Sequence, residues 1–191
     1  RDAVASQWLA TGTTLAAAPQ EANPAIQSAV AVPREYRMSL AIQCPTSLSG
    51  LYLGLPIESR DGLVVLDSQD RSSIQLTGST AAGNGYQGNL LHRLPPVMVE
   101  CDVSRTGVLA TVNGRPAVRW EGNPWQLRPA NEFAPNARQH LRMTLNNWGS
   151  SCRIDRWHVR ALDWKRLPPP AVADQEAARA QMKETHRAAL T

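Results

Sequence analysis

Two acidic residues, Glu100 and Asp102, have a spacing that suits catalysis, within the segment VMVECDVS. Residues two positions apart on a strand point to the same face, so the two carboxylates would lie side by side. A pair of carboxylates can serve as acid and nucleophile in the cleavage of glycosidic bonds. The next position on that face holds Ser104 rather than a third acid. We therefore expect a solvated strand face and keep Glu100 and Asp102 only as candidate catalytic residues.

The segment GNGYQG, residues 83–88, matches the dinucleotide-binding pattern G-x-G-x-x-G. That pattern binds a pyrophosphate only where it opens a helix after a parallel strand. Here Pro95 and Pro96 follow within a few residues, and the neighbouring segments have strand patterns. We expect no dinucleotide site and no other cofactor.

Metal-ligating residue types are scattered through the chain. The four histidines (His92, His140, His158 and His186) have no cysteine or acid at the spacing of metal ligands. Asp67, Asp70 and Asn84 are oxygen donors of the kind that calcium prefers, but no loop is rich in acids. The sequence therefore predicts no metal site.

Charge and hydropathy restrict the partners. The net charge of +4 comes from dispersed basic residues, whereas a nucleic-acid surface needs a cluster, so we expect no nucleic-acid partner. No segment approaches the ~20 apolar residues of a membrane span. The N-terminus lacks the layout of a signal peptide. Because the sequence starts without Met and stops within a helical pattern, we expect a piece of a longer protein. The compartment stays open, and an extracytoplasmic or cell-surface location is compatible with the sequence.

Three cysteines, Cys44, Cys101 and Cys152, each fall on the apolar side of a strand pattern. An odd number of cysteines does not make a disulfide framework. We expect three buried thiols that pack as small apolar side chains.

The segment from Val97 to Gly122 predicts a strand, a short turn and then a β-hairpin, whose own turn lies at Asn113 and Gly114. A two-residue turn would pair Val112 with Arg115 and place charged and apolar residues on one face. A three-residue loop with Gly114 as a bulge would instead pair Thr111 with Arg115. We prefer the second register, because it puts apolar residues on one face (Val108, Ala110, Pro116, Val118 and Trp120).

Short segments of alternating apolar and polar residues recur between turns every 8–12 residues or so, which is typical of an all-β sandwich. In the last such segment, apolar residues change phase between Ile154 and Trp157, which predicts a bulge near Asp155 and Arg156. A run of three prolines at 168–170 ends the pattern, and residues 171–190 have helix-forming composition. We expect a domain over residues 1–167 and a linker with a C-terminal α-helix over 168–191.

In their order along the chain, seven segments resemble the concanavalin A-like (laminin-G, lectin and glucanase) jelly rolls of multi-domain bacterial proteins. The segments are WLATGTTL, EYRMSLAI, LYLGLPI, VVLDS, VNGRPAVRWEG, NNWGS and IDRWHVRAL. The resemblance covers about residues 1–163. It implies two antiparallel sheets packed face to face, with the first and last strands adjacent, and carbohydrate recognition or adhesion. Antiparallel pairing of those strands would bring Tyr36 near Arg160 and Cys44 near Cys152, so a Cys44–Cys152 disulfide is the alternative to free thiols.

A lectin of this kind would bind sugars with an aromatic face and nearby amides or arginine. Trp125 and Tyr86 lie in polar loops, where an aromatic residue has little reason to be. Together with Asn84, Asn123 and Arg71, they form our candidate binding site. The competing interpretation is that each aromatic covers an edge of the sandwich.

From this we expect a non-catalytic, carbohydrate-binding recognition module within a larger bacterial protein. One alternative is a sugar hydrolase of the glucanase or 3-keto-disaccharide hydrolase type, with Glu100 and Asp102 as its acids. Another is a structural domain that binds a second protein.

Overall fold

The computed structural model describes residues 8–11, 14–17, 25–28, 31–43, 50–58, 60–77, 84–85, 88, 90–91, 96–127, 141–145 and 152–162. Regular structure in these ranges is β-strand, apart from a short 3-10 helix at Pro124–Gln126. The strands are β1 (Trp8–Thr11), β2 (Thr14–Ala17), β3 (Ala25–Gln27), β4 (Tyr36–Gln43), β5 (Leu51–Ile57), β6 (Arg60–Ser68), β7 (Arg71–Ile74), β8 (Asn84–Gly85), β9 (Val97–Val103), β10 (Gly107–Val112), β11 (Arg115–Glu121), β12 (Arg142–Leu145) and β13 (Arg153–Ala161).

The strands form two antiparallel sheets. One has the order β1-β2-β13-β4-β9-β10-β11-β8, and the other β3-β12-β5-β6-β7. The expected two-sheet, all-β architecture is confirmed, with β13 beside the N-terminal hairpin β1–β2. The expected C-terminal helix and the boundary at residue 167 lie outside the described residues. None of the chain segments that can be described forms a helix long and apolar enough to cross a bilayer.

The core lies between the two sheets and follows from period-two alternation on both. Inward residues of β4 and β5, among them Leu40 and Leu53, are fully buried in a cluster that contains residues of both sheets. Tyr36 crosses this layer, and its hydroxyl donates to the Pro56 carbonyl at 3.1 Å. That contact satisfies the one polar atom of a buried ring. Burial also raises the pKa of the Tyr36 hydroxyl well above its ordinary value.

The turn of the central hairpin differs from our preferred register. Val112 pairs with Arg115, so the turn has two residues, and Asn113 and Gly114 have φ angles of 49° and 77°. Positive φ at both positions is the geometry of a type I′ turn, which matches the twist of antiparallel strands. The predicted pairing of Thr111 with Arg115 is therefore wrong.

A bulge further along the hairpin separates the apolar from the charged residues instead. Ala110 pairs with Val118 and Thr111 with Pro116, which leaves Ala117 as the additional residue of β11. The buried face predicted for Val118 is confirmed, whereas Pro116 is exposed. The bulge allows Ala117 and Val118 to be buried in succession.

The bulge predicted in the last strand is confirmed. Ile154 pairs with Ile42 and Arg156 with Ala41, so that Asp155 has no opposite residue. After the bulge, Trp157 returns to the inner face and packs against the core.

After the bulge, the register of β13 against β4 differs by one residue from the one that the resemblance implies, whereas before the bulge Arg153 lies opposite Gln43, as that register requires. Tyr36 lies opposite Ala161, and Arg160 lies opposite Arg37.

The expectation of three free thiols is wrong at Cys152. Cys152 is buried and disulfide-bonded, whereas Cys101 is a buried free thiol. Cys44, the remaining cysteine of the sequence, lies outside the described residues. The position next to Cys152, Arg153, pairs with Gln43 of β4.

Candidate functional site

The outer face of the eight-stranded sheet carries mostly polar side chains, in rows set by the strand register. One row runs Arg160, Arg37, Asp102, Leu109 and Arg119 across β13, β4, β9, β10 and β11. The row beside it runs His158, Ser39, Glu100 and Thr111. Neighbouring strands are about 4.8 Å apart, so side chains in one row are within reach of each other.

An ion pair between Arg37 and Asp102 occupies the centre of this face. The Nε and Nη2 atoms of Arg37 donate to the two carboxylate oxygens of Asp102, each at 2.5 Å. The two side chains are only 22% and 11% exposed. The hydrogen bond to Asp102 raises the pKa of the Arg37 guanidinium. Both oxygens of Asp102 therefore accept a hydrogen bond from Arg37.

Glu100 lies on the same outer face, as its spacing from Asp102 predicts. Its carboxylate accepts one hydrogen bond, from the Ser39 hydroxyl at 3.3 Å. Unlike Asp102, it has no arginine held against it among the described contacts. Glu100 is thus the member of the candidate pair that forms no ion pair among the described contacts.

An open groove of ≈ 610 Å³ runs along this face beside β13. It is lined by Ser39, Glu100, Asp155, Arg156, Trp157, His158 and Arg160. Asp155 is paired with Arg153, whose Nε lies 2.7 Å from its carboxylate. The bulge at Asp155 sets the phase in which Arg156 and His158 point outward. Basic residues at every second position of one strand were a sequence signal for this groove, but they were not among our candidate residues.

Among the described residues, Trp125 is the large apolar side chain that is exposed to solvent, with 64% of its surface accessible. It lies in the 3-10 helix after Pro124, and the Asn123 side chain caps that helix by accepting from the Trp125 amide at 3.0 Å. The Arg60 guanidinium lies 3.9 Å from the centre of the indole ring. A cation over the face of an indole is an attractive contact, so this arginine holds one face of Trp125 in place.

The structure brings Asn123 and Trp125 together, but Arg71 lies elsewhere. Leu127, which follows the Trp125 helix, pairs with Leu76. Arg71 is exposed and precedes Leu76 by five residues. Five residues of extended chain span about 17 Å, so Arg71 lies at about that distance from Leu76.

The other two candidates belong to the glycine-rich segment. Asn84 lies on the edge strand β8, opposite Arg119, and its side chain is outside the described part of the structure. Tyr86 is outside the described residues altogether. β8 also lies close to β7. The approach is tight enough that a Cβ built on Gly85 would lie 1.6 Å from the Ser72 carbonyl oxygen. Arg71 and Asn84 are therefore close to the shared edge of the two sheets.

Asp67 attaches residues 90–91, which follow the glycine-rich segment, to the sandwich. It is only 4% exposed and has a φ of 52°. One oxygen accepts from the Leu91 amide in a short contact, and the other accepts from the Ser72 hydroxyl at 3.4 Å. Burial raises the pKa of this carboxyl, and the hydrogen bonds oppose that effect only in part. Both oxygens of Asp67 are thus engaged in protein contacts.

Metal-binding side chains do not gather in threes in the part of the chain that is described. No protein-family model matches the sequence, and no curated protein matches it either.

Solved structures do share the fold. The exoplasmic/lumenal domain of VIP36 in its Ca²⁺-bound form is similar with a TM-score of 0.55 and 10% identity, over 85% of this chain and 86% of that one. A protein assigned as a glycosyl hydrolase from Parabacteroides distasonis has a TM-score of 0.52 and 10% identity, over 84% of this chain and 94% of that one. The carbohydrate-binding module CBM66 from Bacillus subtilis is similar with a TM-score of 0.49 and 9% identity, over 83% and 94%.

The two similarities with TM-scores above 0.5 identify the class of structure. The chain has the fold of the concanavalin A-like jelly-roll sandwiches, as the order of its sequence segments suggested. At such low identity the likeness concerns the fold and not the ligand.

Proposed function

We propose that this domain is a non-catalytic glycan-recognition module of a larger bacterial protein, and that Trp125 is its main sugar-stacking side chain. The observation that carries the proposal is an indole that is 64% exposed and nevertheless held in a defined position. Exposing a large apolar ring leaves unburied the surface that would otherwise stabilise the fold. An exposed ring that is also rigid is pre-organised for a ligand, since little conformational freedom is lost on binding.

The surroundings of Trp125 suit a sugar. One indole face is covered by the Arg60 guanidinium, and the opposite face would stack on the C–H groups of a pyranose ring. The Oδ1 atom of Asn123 accepts from the Trp125 amide, so its NH₂ group remains to donate to a sugar hydroxyl. A ligand bound here would combine an apolar face with hydroxyl groups.

The remaining candidates, Tyr86, Asn84 and Arg71, are proposed as contacts for a longer ligand. Arg71 is about 17 Å of extended chain from Leu76, which pairs with Leu127 directly after the Trp125 helix. An oligosaccharide that reaches from Trp125 to Arg71 would therefore follow the edge of the sandwich formed by β7 and β8.

The hydrolase alternative depends on two free carboxylates. A retaining glycosidase needs an acid and a nucleophile about 5–5.5 Å apart, each able to reach the substrate. Asp102 is committed to Arg37 through both oxygens, which leaves Glu100 without a partner of that kind. The glycosyl hydrolase among the similar structures keeps this alternative worth testing. If the domain releases sugar, Glu100→Gln should abolish the release, and activity that survives the substitution removes Glu100 from consideration.

The disulfide at Cys152 supports an extracytoplasmic location, because disulfides persist in oxidising compartments. A glycan-recognition module would meet its ligand in such a compartment.

The test is binding of the purified domain to a panel of neutral polysaccharides by affinity electrophoresis. Trp125→Ala should lose binding, and Trp125→Phe should retain part of it because a ring remains. Arg60→Gln, which removes the cation but leaves the indole, should weaken binding less than Trp125→Ala. Unchanged binding by Trp125→Ala, or binding to no polysaccharide of the panel, would remove the proposed site.

A further inference from the structure

We propose that the groove beside β13 is a second ligand site, separate from Trp125, and that it binds a polysaccharide carrying carboxylate groups. The proposal rests on the donors that line the groove and does not depend on the Trp125 site. Its ligand class is a chain of sugar acids.

Three side chains on β13 provide the positive and donor groups. Arg156, His158 and Arg160 occupy alternate positions of the strand and point to the outer face. Within the ranges that can be described, their side chains make no hydrogen bond or ion pair. Arg156 and Arg160 are both exposed. Two guanidinium groups are therefore free to form bidentate hydrogen bonds with carboxylates.

The other charged groups of this face are already neutralised. Arg37, opposite Arg160, is held by Asp102 at 2.5 Å. Asp155 is paired at 2.7 Å with Arg153, which does not line the groove. Because Asp155 is neutralised by Arg153, the groove lining keeps two unpaired guanidinium groups and one carboxylate outside an ion pair, that of Glu100. The groove therefore has an excess of positive charge.

Glu100 determines which anions fit. Its carboxylate repels a bare anion and accepts hydrogen bonds from hydroxyl groups, as it does from Ser39. A ligand that satisfies the groove must carry hydroxyl donors for Glu100 as well as a negative group for the arginines. A sugar acid has both on one ring.

The spacing favours a polymer over a single sugar. Arg156 and Arg160 are four residues apart, which is about 13 Å along a strand. A chain with a carboxylate on successive rings presents negative groups repeatedly over such a length. We therefore expect a polyuronate to bind more tightly than the free sugar acid.

The experiment compares polygalacturonate with its fully methyl-esterified form, which keeps the backbone and loses the charge. Binding is measured by isothermal titration calorimetry at low ionic strength, where exposed charges are least screened. The native domain should bind polygalacturonate and should bind the ester at least about tenfold more weakly, the loss expected for charge-assisted hydrogen bonds. Equal affinity for the two polymers, or no binding of polygalacturonate, overturns the proposal.

Matched variants separate the groove from net charge and from the Trp125 site. Arg156→Gln/Arg160→Gln should lose polygalacturonate binding about tenfold or more. Arg105→Gln/Arg115→Gln removes the same charge at two exposed positions outside the groove lining, one before β10 and one at the start of β11, and should bind almost as the native domain does. Equal loss in both double variants would mean nonspecific attraction and would refute the groove. Trp125→Ala should leave polygalacturonate binding intact. If only Trp125→Ala abolishes this binding, and the groove variant does not, the groove proposal is overturned and the Trp125 site stands.

Discussion

The ion pair between Arg37 and Asp102 should contribute far more to stability than a comparable pair at the rim of the same face. Removing Asp102 with Asp102→Ala leaves a guanidinium that is 22% exposed and has lost both of its acceptors. Burial makes this costly, because a partly desolvated charge without a counter-charge cannot be fully hydrated. Arg119 and Glu121 form a pair of the same chemistry at 2.9 Å, with side chains 40% and 72% exposed. They serve as the matched control.

The expected magnitudes follow from burial. Breaking a fully buried pair costs about 3–5 kcal/mol, and an exposed pair is worth about 0–1 kcal/mol. With side chains 22% and 11% exposed, Arg37 and Asp102 fall between these limits. We expect a coupling energy of about 2 kcal/mol for this pair and about 0.5 kcal/mol or less for Arg119 and Glu121.

The measurement is a double-mutant cycle, Arg37→Met with Asp102→Ala, repeated as Arg119→Met with Glu121→Ala. Each variant is unfolded in urea and followed by tryptophan fluorescence, and the cycle isolates the pairwise free energy. If the two coupling energies agree within about 0.5 kcal/mol, burial does not control the strength of this contact, and the reasoning fails.

Three further results are expected. Gly85→Ala should lower the free energy of unfolding by about 2–3 kcal/mol, because its Cβ would lie 1.6 Å from a backbone oxygen, whereas Gly114→Ala, in open space at a φ of 77°, should cost about 1 kcal/mol. Equal costs in urea titrations contradict the steric argument. Burial raises the pKa of Asp67, so the folded state keeps this proton at a pH where the unfolded chain has lost it, and stability should fall as pH rises through the window above 3.8. Asp67→Asn should remove that slope from the pH dependence of unfolding, and an unchanged slope rules the explanation out. Reduction of the Cys152 disulfide should cost about 2–4 kcal/mol while Cys101, whose pKa burial raises, stays unreactive toward thiol reagents until the protein unfolds. Labelling of Cys101 in the native oxidised protein would show that it is not enclosed.

Local patterns were sufficient to predict the all-β architecture and the last bulge. The alternation in β4 and β9 records which side chains face the core, and the phase change after Ile154 records the inserted residue. The hairpin turn was predicted incorrectly because a bulge at either of two positions separates the charged from the apolar residues equally well. A bulge at the turn and a bulge at Ala117 leave almost the same sequence pattern, and only the positive φ of Asn113 decides between them.

Contacts between distant strands could not be predicted in the same way. Arg37 and Asp102 are 65 positions apart, and they meet because β4 lies beside β9 in one particular register. The stacking of Arg60 on Trp125 likewise depends on how β6 approaches the 3-10 helix. The groove was missed for a different reason, because its basic residues alternate along β13 in the sequence but were not considered together as one polar face.

The position of β13 has a consequence for how the domain is made. In the described sheet, β2 pairs with β1 on one side and with β13 on the other, and β13 in turn pairs with β4. The N-terminal hairpin is synthesised first, but its attachment to the sheet has to await a strand that leaves the ribosome more than a hundred residues later. Until then the edge of β4 is open to any extended chain nearby, and pairing at such distance along the chain is slow. We therefore expect a nascent chain stopped before residue 152 to be bound by chaperones or to aggregate, and release of β13 to be the step that commits it to the native state.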